Sequence, residues 1–357
     1  MKSGASFREL ISGRRRGPIA SLERVLLSAA ELPYTAAVGW RNRNYNSGRW
    51  PAARVSVPVV SVGNLTLGGT GKTPAVEWIA RWYRNRGVRV VLVSRGYGRK
   101  HGSSNDEALE LAQKLPDVPH LQDPDRVRAA RQAIAKHGAE LVLLDDAFQH
   151  RRIARDLDIV LVDALEPYGF EHVFPRGTLR EPLSSLSRAD VVMLTRADLV
   201  SADQRDAIHQ RARSLAPKAT WVEATHEPQH LVDHEGQEVP LSWLAGRRIA
   251  AFCGIGNPSS FRRALERLGA DVRAFREFPD HFAYDEGDLV ELQKWCQPLA
   301  AEAFVCTQKD LVKIHQRQLD SRPLWALAIR LEITSGQSAL ESALAAALAN
   351  STGGQNR

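Results

Sequence analysis

Residues 60–74 read VSVGNLTLGGTGKTP, an apolar strand that runs directly into a glycine cluster, a lysine, a threonine and the start of a helix. No other stretch of the chain restricts the fold as tightly. Gly68, Gly69 and Gly71, with Thr70 among them, let backbone amides approach a polyphosphate; Lys72 can neutralise its outer oxygens. Thr73 can ligate magnesium, and the helix that begins here turns the positive end of its dipole toward the same anion. Thr66 stands where the strict pattern asks for its first glycine. A second strand, LVLLDD at 141–146, puts Asp145 and Asp146 at a strand's C-terminal edge, where Asp145 is placed to hold magnesium and Asp146 to work beside it. The pair predicts a P-loop nucleotide site that works with Mg²⁺. Thr195-Arg196-Ala197-Asp198 ends a further strand and resembles the guanine-reading [NT]KxD pattern with Arg for Lys. Guanine recognition and simple helix capping both remain open for it.

Around this loop the sequence alternates short β-branched runs with helical stretches. Strands are predicted near 57–62, 88–94, 139–146, 156–163, 189–195 and 219–224, with helices near 73–86, 106–114, 125–137 and 201–215. Strands so apolar, separated by helices, make βαβ units and a buried parallel sheet. After a polar patch at 226–238 the alternation resumes to the C-terminus. The expected architecture is therefore α/β in two domains: a P-loop domain over 1–228, a linker or hairpin over 229–240 turning near Glu235-Gly236, and a smaller α/β domain over 241–357 that closes the active-site cleft.

Charge is unevenly placed. The chain of 357 residues carries 48 Lys and Arg against 41 Asp and Glu. Residues 1–54 hold ten basic residues and only Glu9, Glu23 and Glu31 as acids, which accounts for the whole surplus of +7. Within this head, Ile19, Leu22, Val25, Leu26 and Ala29 fall at helical spacing beside Arg14, Arg15, Arg16 and Arg24. That pattern suits a helix lying in a membrane interface, and equally one packing on its own domain. The basic residues are interleaved with aliphatic side chains instead of base-stacking aromatics, so nucleic acid is not an expected partner. Three cysteines without CxxC spacing suggest neither a disulfide framework nor a cysteine zinc site, and a reducing compartment. No run is long and apolar enough to span a bilayer, and no signal peptide is recognisable.

Taken together, ISGRRRG (11–17), RNRNY (41–45), SVGNLTLGGTGKTP (61–74), SRGYGRK (94–100), NDEALELAQ (105–113), LLDDAFQHRRIARDLDIVLVD (143–163), PRGTLREPLSSLSRAD (175–190), FCGIGNPSSF (252–261), FPDH (278–281) and TQKDLVK (307–313) resemble the tetraacyldisaccharide 4'-kinases of lipid A biosynthesis. The resemblance implies transfer of the γ-phosphate of ATP to the 4'-hydroxyl of a tetraacyldisaccharide 1-phosphate, peripherally at the cytoplasmic face of the inner membrane. No obligate protein partner is implied. It assigns Lys72 and Thr73 to phosphate and magnesium, and Asp145 with Asp146 to the acidic strand end. Asp106 matches the family's catalytic base and His281 its histidine partner; a carboxylate accepting the sugar hydroxyl proton beside an orienting imidazole is sound chemistry for phosphoryl transfer. Asp146 remains the alternative base. Arg180 and Glu181 match the LREP positions, and Arg126 and His150 are further site candidates. A P-loop GTPase and a noncatalytic nucleotide sensor at the membrane surface are the rival classes.

Overall fold

The computed structural model describes residues 4–96, 106–280 and 282–352. Along the chain come α1 (Gly4–Ile11), α2 (Pro18–Asn46), β1 (Val59–Asn64), α3 (Lys72–Arg84), β2 (Val90–Ser94), α4 (Asp106–Lys114), β3 (His120–Gln122) and α5 (Arg126–His137). Then follow β4 (Leu141–Asp145), β5 (Leu157–Asp163), β6 (Val191–Thr195), α6 (Ala202–Leu215), β7 (Thr220–Val232), β8 (Glu238–Val239) and β9 (Arg248–Cys253). The chain closes with α7 (Pro258–Arg267), β10 (Asp271–Glu277), α8 (Glu286–Cys296), β11 (Ala303–Thr307), α9 (Gln308–Leu311), β12 (Gln318–Leu319), β13 (Arg322–Ser335) and α10 (Gln337–Thr352). These elements form two compact units. The first holds the described residues up to 96, Leu115–Thr225 and those from Glu332 onward; the second holds the described residues from 106 to Lys114 and His226–Leu331.

In the first unit the strands run in the order β7-β6-β5-β1-β4-β2-β3, every neighbouring pair parallel. All residues of β1, β2, β4 and β6 are buried, as a sheet covered on both faces requires. On one flank Val59, Val91, Val93, Val142 and Leu144 pack with Val127, Ala130 and Ala133 of α5. Near β5 and β6, Val160, Val162, Val192 and Leu194 pack with Ile208 and Ala212 of α6. The sheet order places β1 between β4 and β5, so the strand entering the glycine loop lies at the centre, with Val62 opposite Asp145. The second unit carries a smaller parallel sheet, β10-β9-β11-β13, over a core of Phe252, Leu292, Phe304 and Leu324.

Two segments depart from the expected division: α4 belongs to the second unit although it lies within 1–228, and α10 to the first although it lies within 241–357. The patch after residue 226 continues β7 and folds back through Glu235-Gly236 onto β8, with Leu231 opposite Val239, so of the two expected forms it takes that of a hairpin, within the second unit. The C-terminal helix belongs to the first unit: Leu340, Leu344 and Ala347 of α10 are buried, and the Tyr83 hydroxyl donates to the Leu344 carbonyl at 2.9 Å. The long β13 carries the chain back, and Gly336, at φ +79, makes the turn into α10 where a Cβ would lie 2.5 Å from the Trp221 carbonyl oxygen.

Candidate active site

The glycine loop links β1 to α3 within the first unit. Thr66, the residue that breaks the strict motif, bridges Leu179 in an extended strand pairing, with the Leu67 amide donating to the Thr178 carbonyl and the Arg180 amide to the Leu65 carbonyl. An extended residue needs no glycine, so the departure is structurally neutral. Gly71 caps α3 in the left-handed region at φ +82, and Gly68 lies at φ +116, conformations that side chains rarely adopt. Gly63 allows a close crossing: a Cβ there would stand 2.7 Å from the Cβ of Phe148. That contact brings the 145–150 turn against the loop, and Gln149 fastens it by donating to the Asn64 carbonyl at 2.8 Å.

Lys72, 8% exposed, opens α3 and directs its ammonium to Asp146 Oδ1 at 3.7 Å. Arg180 donates through Nη1 to both oxygens of the same carboxylate, at 2.8 and 2.9 Å. Burial would raise the Asp146 pKa, but Lys72 and Arg180, with Arg126 behind them, outweigh it and hold the carboxyl below its usual range. Asp146 also lies in the left-handed region at φ +50, so backbone strain is accepted to aim it. Asp145 is buried at the end of β4. Arg126, only 2% exposed, donates to the Asp123 carbonyl at 2.8 Å and feels the charges of Asp145 and Asp146. Burial lowers its pKa and those carboxylates oppose the shift; a guanidinium stays charged at neutral pH regardless. His150 is pushed down to about 4, first by burial and then by Arg126, Arg155 and Arg152, so its imidazole is neutral at pH 7.

Lys72, Asp145, Asp146, Arg126 and Arg180 thus meet around one loop, three cations against two carboxylates. Thr73 follows Lys72 on the first turn of α3, half-buried. Glu181 points elsewhere: fully buried, it accepts from Asn42 at 2.6 Å and Arg188 at 3.1 Å and pairs with Arg41 at 3.4 Å, tying α2 to the 178–188 segment. Asp106 begins α4, in the second unit, and its side chain is not among those described. His281 lies outside the described residues. Sequence reasoning missed Gln149, and it missed Arg95, a cation just after β2 whose charge acts on Arg126; a strand's C-terminal edge was the signal available for Arg95.

The helix α2 carries the apolar stripe outside the core. Ile19, Leu22, Val25, Leu26, Leu32 and Trp40 are exposed, Leu22 and Leu26 each at 61%. Its other side is fixed: Glu31 accepts from the Val173 amide at 2.6 Å and meets His172 Nδ1 at 3.0 Å. Arg15 pairs with Glu23 at 3.0 Å, and Arg24 donates to the Arg15 carbonyl at 2.9 Å, which leaves Arg14 and Arg16 as the more exposed members of the basic set. No helix among the described residues is long and apolar enough to cross a membrane.

A parallel sheet with a glycine loop at its centre, a lysine at the helix start and an acid pair on the neighbouring strand defines a P-loop nucleotide-binding protein. The family model described as "Tetraacyldisaccharide-1-P 4'-kinase" matches residues 23–349. The tetraacyldisaccharide 4'-kinase of Anaeromyxobacter sp. (strain K) is 40% identical over 359 residues, covering 94% of this chain and 93% of the relative. That of Syntrophus aciditrophicus is 36% identical, covering 89% and 90%. The crystal structure of "apo" form LpxK from Aquifex aeolicus in complex with ATP superimposes with a TM-score of 0.73 at 29% identity, covering 91% of this chain and 99% of that one. The chain belongs to the tetraacyldisaccharide 4'-kinase family. Its activity is the ATP-dependent phosphorylation of the tetraacyldisaccharide in lipid A biosynthesis.

Proposed function

We propose that the phosphates of ATP lie along Gly68–Thr73, and that the γ-phosphate passes to the 4'-hydroxyl of a tetraacyldisaccharide 1-phosphate. The observation that carries this reading is the convergence of Lys72, Arg126 and Arg180 on Asp145 and Asp146 beside that loop. Phosphoryl transfer needs positioning and charge stabilisation more than covalent help, and this cluster supplies both. Lys72 offsets charge on the transferring group. Arg180 and Lys72 fix Asp146, and Asp146 in turn keeps the lysine extended along the loop. Thr73 and Asp145 would hold Mg²⁺: a hydroxyl and a carboxylate are the hard oxygen donors that ion takes together with substrate phosphates. Bound there, the ion would offset charge on the β- and γ-phosphate oxygens.

Two carboxylates compete for the role of base; the electrostatics count against Asp146, and the family resemblance points to Asp106. A carboxyl held below its usual range by three cations is a weak proton acceptor, which suits Asp146 to positioning. His281 is proposed as the partner that orients Asp106. Arg126 and neutral His150 shape the field around the acid pair, and Glu181 holds the segment that presents Arg180. The enzyme works peripherally at the cytoplasmic face of the inner membrane, with the exposed stripe of α2 in the acyl boundary and Arg14 and Arg16 among anionic headgroups. That placement is supported by the exposure of the stripe and by the lipid nature of the acceptor.

Transfer of labelled γ-phosphate from ATP to a tetraacyldisaccharide 1-phosphate in detergent micelles tests the assignment. Lys72→Ala should lower turnover by two to three orders of magnitude, on the usual scale of removing one charge-stabilising group. Asp106→Asn should lower kcat with ATP affinity intact; wild-type turnover in that variant would transfer the base role to Asp146.

A further inference from the structure

The Thr195-Arg196 pair ends β6 on the edge where a guanine-reading motif would stand, yet both side chains turn to the glycine loop. Thr195, fully buried, donates from Oγ1 to the Thr70 carbonyl at 2.9 Å, closer than its other acceptor, the Val162 carbonyl, at 3.3 Å. Arg196 donates through Nη2 to the Gly69 carbonyl at 2.8 Å, while its Nη1 is engaged by Asp163 at the end of β5. Arg196 takes the left-handed region at φ +56 to do so. A bulky residue seldom accepts that conformation without a compensating contact.

These bonds have a geometric consequence for the amides. A trans peptide is planar, so its N–H points opposite to its C=O. Holding the Gly69 carbonyl toward Arg196 fixes the direction of the Thr70 amide. Holding the Thr70 carbonyl toward Thr195 likewise fixes that of Gly71. Two successive donors of the loop are therefore oriented by side chains from another strand, in a segment whose glycines would otherwise leave the peptide planes free to rotate. Thr70's own hydroxyl is buried and has no hydrogen-bond partner among the described residues, so a polar group remains at the same point for a ligand.

We infer that Thr195, Arg196 and Asp163 form a positioning unit that presets the Thr70 and Gly71 amides for the nucleotide phosphates. They act through the loop and touch no substrate. The same geometry removes Arg196 from any reading of a guanine base, since its guanidinium is committed to Asp163 and to Gly69. The inference rests on the reading of this loop as the ATP cradle.

The test is titration of ATP into the full-length protein by calorimetry, with steady-state kinetics and thermal melting on the same samples. Thr195→Val keeps the side-chain shape and removes the donor; it should weaken ATP binding about tenfold and raise the KM for ATP, leaving the KM for lipid unchanged. Thr195→Ser should restore binding to within about twofold of wild type. The double variant Arg196→Ala/Asp163→Ala, which leaves no unpaired carboxylate, should show a loss similar to that of Thr195→Val and carries the test if Thr195→Val does not fold. ATP affinity equal to wild type in a folded Thr195→Val or folded double variant would overturn the positioning role, as would equal rises in both KM values. Failure of the wild-type protein itself to bind ATP would instead overturn the nucleotide-site reading.

Discussion

Two helices of the first unit carry apolar stripes that look alike in sequence and meet opposite fates. In α10, Leu340, Leu344 and Ala347 are buried and Tyr83 closes a hydrogen bond to its backbone. In α2, Leu22, Val25, Leu26 and Leu32 face away from the core, although Glu31, Asn42 and Tyr34 fasten the other side to the loop region through Val173, Glu181 and Arg180. The stripe of α10 contributes to stability. That of α2 is left exposed, which is the observation behind its proposed place at a lipid surface. Periodicity alone cannot separate these cases, because a core face and an interfacial face obey the same spacing.

The largest effect that would break the comparison is on α10. Leu344→Ala should cost about 2 to 5 kcal/mol, as core truncations do, and lower the melting temperature by several degrees. A melting point unchanged by this substitution would mean that α10 is as peripheral as α2.

Acid comes next, because the first unit holds two histidines in their neutral form while the stripe of α2 has none. Burial lowers His120 to about 4, aided by Arg126, and His150 falls equally low. Their unfolded value lies near 6.5, so the unfolded chain binds more protons between pH 6.5 and 4, and stability falls as pH drops through that window. At pH 5 the penalty is about 2 kcal/mol for each histidine, and His150→Gln should flatten the melting curve against pH by its share. Asp146 acts in the same sense at lower pH: its depressed pKa supports the fold above about 3.8, and that support is lost as pH falls through the folded value. Vesicle binding, if it depends on the aliphatic stripe and arginines of α2, should not follow the histidine transition.

A smaller effect separates the charged from the apolar part of α2. Arg14→Gln with Arg16→Gln should weaken binding to anionic vesicles by about 1 kcal/mol per arginine, with the difference vanishing at high salt. Arg24→Gln should do less, since its guanidinium is already spent on the Arg15 carbonyl and Ser21.

Much of the site was legible because its chemistry is local in sequence. The glycine run, Lys72, Thr73 and the Asp145-Asp146 pair each follow a strand, and parallel pairing of β1 with β4 brings them together. The α/β alternation was equally plain from the buried strands. What escaped depends on contacts distant in sequence. His120-Leu121-Gln122 is too short to show a strand period, yet it forms the sheet edge beside β2. The return of α10 to the first unit is decided by Tyr83 and Trp221, more than a hundred residues earlier. Thr195-Arg196 carried two readings, base recognition and capping, and the structure gives a third: it braces the loop.

The central claim is that the loop performs the chemistry and the exposed stripe delivers the lipid, as separable functions of one unit. Kinetics of Leu22→Ser/Val25→Ser/Leu26→Ser with the acceptor presented in anionic vesicles test it most directly, run beside thermal melts. The expected result is a KM for lipid raised about tenfold or more, with the KM for ATP, the turnover at saturating lipid and the melting temperature unchanged, since exposed substitutions alter stability by at most about 0.5 kcal/mol. A lowered melting point with an unchanged KM for lipid would contradict it, and would make α2 a packing helix like α10.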